Sequence, residues 1–75
     1  MNPTNKNEKV SIIMAAYNAE RTVGNAVRSV LAQTYTNYEL IVIDDCSSDT
    51  TADIVSGFGD SRIRLIRHSR NMGVL

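Results

Sequence analysis

Leu40-Ile41-Val42-Ile43-Asp44-Asp45-Cys46-Ser47-Ser48-Asp49-Thr50 carries four apolar residues straight into two adjacent carboxylates and a hydroxyl-rich turn. An unbroken aliphatic run suits a strand covered on both faces, as in a parallel sheet, whereas a half-solvated strand alternates with polar residues. The run predicts a buried strand over residues 38–43, with Asp44 and Asp45 at its carboxyl end. In open α/β sheets that end faces the crevice where ligands bind, because the loops diverge there around a switch in strand order.

Towards the N-terminus, Val10-Ser11-Ile12-Ile13-Met14-Ala15-Ala16 predicts a first buried strand, broken at Tyr17-Asn18. Asn18 suits a helix N-cap. Beyond it Val23, Ala26, Val27, Val30 and Leu31 recur at spacings of three and four, with Glu20, Arg21, Asn25 and Arg28 largely opposite, so an amphipathic helix is predicted over residues 19–33. Residues 1–9 contain no apolar side chain after Met1 except Pro3, and read as a flexible polar tail. A signal peptide is disfavoured, since the apolar run spans only seven residues, the lower limit of the roughly 7–15 expected, and Glu8 stands at its start. No stretch approaches the ~20 apolar residues of a membrane span.

Towards the C-terminus, Ser47, Ser48, Asp49 and Thr50 offer caps for a second helix carrying Ala52, Ile54, Val55 and Phe58. Thr50 with Asp53 resembles a capping box, and Gly57 and Gly59 end the helix. Arg62-Ile63-Arg64-Leu65-Ile66-Arg67 partly alternates, which predicts a third strand in an edge position. The sum is β-α-β-α-β with right-handed crossovers, half of a doubly wound nucleotide-binding sheet.

Composition sets outer bounds. Seventy-five residues, 43% hydrophobic and 21% charged, make one small globular unit without low-complexity segments. Eight basic and eight acidic side chains cancel, so no nucleic-acid partner is expected. The single Cys46 forms no internal disulfide, which fits a reducing compartment.

Several chemistries fail on particular residues. A dinucleotide fingerprint needs glycines in the first turn, and Ala15-Ala16-Tyr17-Asn18-Ala19-Glu20 has none; no P-loop motif occurs either. Asp45, Ser47 and Asp49 match positions one, three and five of a calcium loop, but Thr50 and Ser56 stand where Gly and Glu are required. A phosphoacceptor receiver domain would carry its acidic pair on the first strand and its acceptor Asp on the third, which here carries arginines.

Three segments in order and spacing carry a resemblance: Val10 to Asn18, Ser29-Val30-Leu31-Ala32-Gln33-Thr34-Tyr35, and Tyr38 to Thr51, followed by Asn71-x-Gly73. Together they resemble the start of a family 2 inverting glycosyltransferase with the GT-A fold. Cys46 stands where that family usually has Gly, and Ala15 near its usual Pro or Thr. The resemblance implies a Rossmann-like βαβαβ half of a nucleotide-diphospho-sugar-binding domain over residues 10–75. It also implies transfer of a sugar, with inversion, from a nucleotide diphosphate donor, usually a UDP-sugar, to a hydroxyl of a carbohydrate or lipid-linked acceptor in polysaccharide biosynthesis.

In that role Asp45 would accept the N3–H of uracil and Tyr17 would pack on the base. The backbone at Ala15 and Ala16 would complete the pocket, with Asp44 beside it. Chemistry alone admits uracil, thymine or guanine, each of which presents a ring N–H. The family's Asp-x-Asp motif, for Mg or Mn, and its general base fall beyond Leu75, so the 75-residue chain is expected to bind without catalysing and to hold no metal by itself. Asp44 also reads as a buried structural carboxylate, Ser47 and Asp49 as turn and capping residues, Cys46 as inert, and the basic run Arg62, Arg64, Arg67, His68 and Arg70 either as facing a diphosphate or, more commonly for such runs, as guards of an edge strand. The alternative reading is a non-catalytic module, either a nucleotide binder or a homodimer formed through an exposed sheet edge. A cytoplasmic location, peripheral to the membrane in the parent enzyme, follows from donor supply.

Overall fold

The computed structural model of the chain describes residues 8–69. Of the expected tail this includes Glu8 and Lys9; Arg70 and the Asn71-x-Gly73 element lie outside the described residues. The order is β1 (Val10–Ala16), α1 (Val23–Leu31), β2 (Tyr38–Asp44), α2 (Thr51–Ser56) and β3 (Ile63–Arg67). The three strands form one parallel sheet in the order β1-β2-β3, with β3 at an edge as expected and β1 at the other.

Strand register fixes two faces. Ile12, Leu40 and Ile63 align, as do Met14, Val42 and Leu65, and on this face they pack with Val23, Val27, Val30 and Val55 of the helices into the core. Because each right-handed crossover steps the same way across the sheet, both helices land on that face. The opposite face, Ile13-Ile41-Arg64 and Ala15-Ile43-Ile66, receives no helix among the described residues, and Ile13 is 59% exposed. The expectation of strands buried on both faces is therefore corrected: β1 alternates between exposed and part-buried residues up to the buried Ala16.

The first helix starts later than the sequence reading, and the second starts among its expected caps but is bonded differently. The first helix begins at Val23, four residues later than expected, because the Ala19 carbonyl takes the Thr22 and Val23 amides in a turn, 3.0 and 2.8 Å. Asn18 does not cap it; its left-handed φ of 47° turns its side chain to the loop after β2. Nor do Thr50 and Asp53 close a capping box: Thr50 makes no side-chain cap bond, and the Thr51 amide donates instead to Asp49 Oδ1 at 2.9 Å. An Asx turn thus starts α2.

At the amino end of β3, Arg62 is committed far from the carboxyl edge of the sheet. It pairs with Asp60 at 2.9 Å and lies over the Tyr38 ring at 4.8 Å. Its hydrogen bonds hold the Asp60 carboxyl down to about 2, so the pair stays charged at neutral pH.

Candidate functional site at the carboxyl edge of the sheet

The three strands end in one row, Ala16, Asp44 and Arg67. The last bonds of the ladder close this row: the Asp45 amide donates to the Ala16 carbonyl and the His68 amide to the Asp44 carbonyl, both at 2.9 Å. One residue further along each chain segment stand Tyr17, Asp45 and His68. Tyr17 is 55% exposed, Asp45 is mostly buried, and His68 Nδ1 lies 3.4 Å from Asp45 Oδ1. A flat aromatic surface thus stands at the same sheet edge as a carboxylate acceptor and an imidazole, a combination suited to a planar ligand with an N–H at its edge. Sequence reasoning placed Tyr17 and Asp45 here. It missed His68, which it grouped with the arginines; only the β2–β3 register separates it from them.

Asp44, in the last paired row, is completely buried. Its Oδ1 accepts from the Ser47 amide, 3.3 Å, and from the Ser47 hydroxyl. Its Oδ2 lies 3.2 Å from Arg67 Nε, near enough for an ion pair but not aligned for a hydrogen bond. Arg67 also donates to the Ser47 carbonyl at 3.2 Å. Ala15 is exposed on the helix-free face and Ala16 is buried at the strand end.

Two loops are stitched together across the top of β1 and β2. The Asn18 amide donates to Ser47 Oγ at 2.8 Å, and Asn18 Oδ1 accepts the Ser48 amide at 2.9 Å. Farther along, the Ala19 amide donates to Thr51 Oγ1, 2.8 Å, and the Thr50 amide and hydroxyl donate to Glu20 Oε1, 3.1 and 2.8 Å. Asp49 serves both loops, accepting the Glu20 amide on Oδ2 and the Thr51 amide and hydroxyl on Oδ1, and the Thr51 hydroxyl bond is the chief cause of its lowered pKa. Ser47 and Asp49 are thus turn and cap groups. Cys46 takes φ 62°, a left-handed conformation natural to Gly, which accounts physically for the glycine of the family pattern at this position. Among the described residues, no three His, Cys, Asp or Glu side chains come together in a way that could hold a metal ion, and no helix is long and apolar enough to cross a membrane.

A parallel βαβαβ sheet with polar side chains gathered at its carboxyl edge defines the class, half of a doubly wound α/β domain. Within that class the chain belongs to the family described as Glycosyl transferase family 2, which matches residues 11–75. Among its relatives is the UDP-Glc:alpha-D-GlcNAc-diphosphoundecaprenol beta-1,3-glucosyltransferase WfgD of Escherichia coli, 53% identical over 85% of this chain and 25% of that protein. The succinoglycan biosynthesis protein ExoO of Rhizobium meliloti is 43% identical over 97% of this chain and 22% of its own length. The crystal structure of S. aureus TarS 1-349 superposes with a TM-score of 0.80 at 29% identity, covering 88% of this chain and 20% of that one. The chain spans a quarter or less of the length of these relatives.

Proposed function

We propose that this chain is the donor-base-binding part of a GT-A glycosyltransferase that moves a sugar from a UDP-sugar to an acceptor hydroxyl with inversion. The observation that carries the reading is that Tyr17 and Asp45 follow directly on β1 and β2 at the sheet's carboxyl edge, an exposed ring and a mostly buried carboxylate whose amide donates to the Ala16 carbonyl. Asp45 accepts the ring N–H of uracil, Tyr17 packs on the base, and the backbone at Ala15 and Ala16 lines the pocket, with Asp44 holding the floor. The similarity to WfgD, a UDP-Glc transferase by name, supports uracil over the other bases with a ring N–H. The family resemblance supports a divalent metal, Mg or Mn, and a carbohydrate or lipid-linked acceptor for the whole enzyme. Residues 8–69 bind and orient; no catalytic role is assigned to them.

The test is an amide NMR titration of the chain with UDP and with ADP. Saturable UDP-selective shifts at Tyr17 and Asp45 are expected, weakened about 10–100-fold in Asp45→Ala, the range for losing a hydrogen bond to a charged group. Equal responses to both nucleotides would overturn the base assignment. A second reading, a homodimer, draws on the uncovered Ile13 of the edge strand β1; a monomeric sedimentation coefficient for the same sample excludes it.

A further inference from the structure

We propose that His68 is a positioning residue for base recognition, holding the Asp45 carboxylate in the orientation that accepts a ring N–H. The proposal rests on the base-binding reading of Tyr17 and Asp45. Its basis is the strand ends: one residue past the paired Asp44 and Arg67, the Asp45 and His68 side chains meet. The His68 amide is pinned to the Asp44 carbonyl at 2.9 Å, so the imidazole starts from ordered sheet rather than from a loose turn. Its Nδ1 then reaches to 3.4 Å from Asp45 Oδ1, with 29% of the His68 side chain and 12% of the Asp45 side chain exposed.

Among the described residues, the other cations of the basic run lie elsewhere. Arg62 serves Asp60 and Tyr38 at the far end of β3, Arg64 lies mid-strand in register with Ile41, and Arg67 turns down to Asp44 and Ser47. A carboxylate can rotate and present either oxygen. With Nδ1 carrying its proton, His68 donates to Oδ1 and selects the rotamer before the base arrives. The 3.4 Å separation is at the long end for such a bond, as polar contacts in unliganded sites often are before they tighten on a ligand. Pre-set acceptor geometry favours a base with a ring N–H over one with a bare ring nitrogen.

UDP and CDP differ in that respect and share ribose and diphosphate. Their affinities for the 75-residue chain should be compared in the wild type, His68→Ala and His68→Asn, the last because an Asn amide can stand where Nδ1 does. The wild type is expected to prefer UDP, His68→Ala to lose about fivefold of that preference, the size of one ordinary hydrogen bond, and His68→Asn to retain it. A general structural effect would weaken both nucleotides and leave the ratio unchanged. If His68→Ala does not fold, His68→Leu against His68→Asn makes the same comparison. A wild type that prefers UDP with an unchanged ratio in His68→Ala overturns the role of His68 alone. A wild type without preference overturns the base-binding reading and this proposal with it.

Discussion

Leu40→Ala is expected to destabilise the chain by roughly 2–5 kcal/mol, the cost of truncating a fully buried leucine whose cavity cannot collapse. Leu40 sits on the central strand, in register with Ile12 on one side and Ile63 on the other, and has no exposed surface. At about 0.05–0.15 kcal/mol per residue a chain of this length holds only roughly 4–11 kcal/mol of stability. Its small core places it towards the low end. The substitution therefore removes a third or more of the total. Ile13→Ser, one strand away and equally aliphatic by sequence, is expected to cost under about 1 kcal/mol, because Ile13 already meets solvent on the face without helices. Urea unfolding followed by far-UV circular dichroism measures both. Equal losses would refute the assignment of the two faces.

That contrast also shows what the sequence could and could not disclose. Aliphatic β-branched runs ending in polar residues identify strands and their carboxyl ends, so the βαβαβ order and the position of Tyr17 and Asp45 just past β1 and β2 were legible from local pattern, whereas their roles came only with the family resemblance. The number of faces a strand buries depends on where the crossovers land, and Val10–Ala16 reads the same for one face or two. Caps failed for a related reason. Asn18 and Thr50 have the right side chains to cap the helix that follows each, yet their bonds go to Ser48 and Glu20, some thirty residues away. Only after β1 and β2 are aligned do the two loops meet. His68 was hidden similarly: among four arginines it reads as one more charge on an edge strand, until the β2–β3 register brings it to Asp45.

Asp44 is where fold and site join, and Asp44→Ala is expected to cost roughly 2–4 kcal/mol. The Asn18 amide donates to Ser47 Oγ, which in turn donates to Asp44 Oδ1, so one buried carboxylate terminates a chain of donors that begins in the loop after β1. Removing it leaves the nearly buried Ser47 amide and hydroxyl unsatisfied, at about 1–3 kcal/mol for such a group. It also strips Arg67 of its partner; because the Arg67 side chain is 55% exposed, water takes over much of that charge, which keeps the total below the worst cases of a broken buried pair. Asp44→Asn retains an acceptor for Ser47 but brings an uncharged amide to Arg67, so about half the loss is expected. The two variants separate the contributions: amide shifts at Asn18 and Ser47 should move strongly in Asp44→Ala and little in Asp44→Asn, while both lower the urea midpoint. If Asp44→Asn proved as damaging as Asp44→Ala, the ion pair with Arg67 rather than the Ser47 relay would be what ties the loop after β1 to the end of β2.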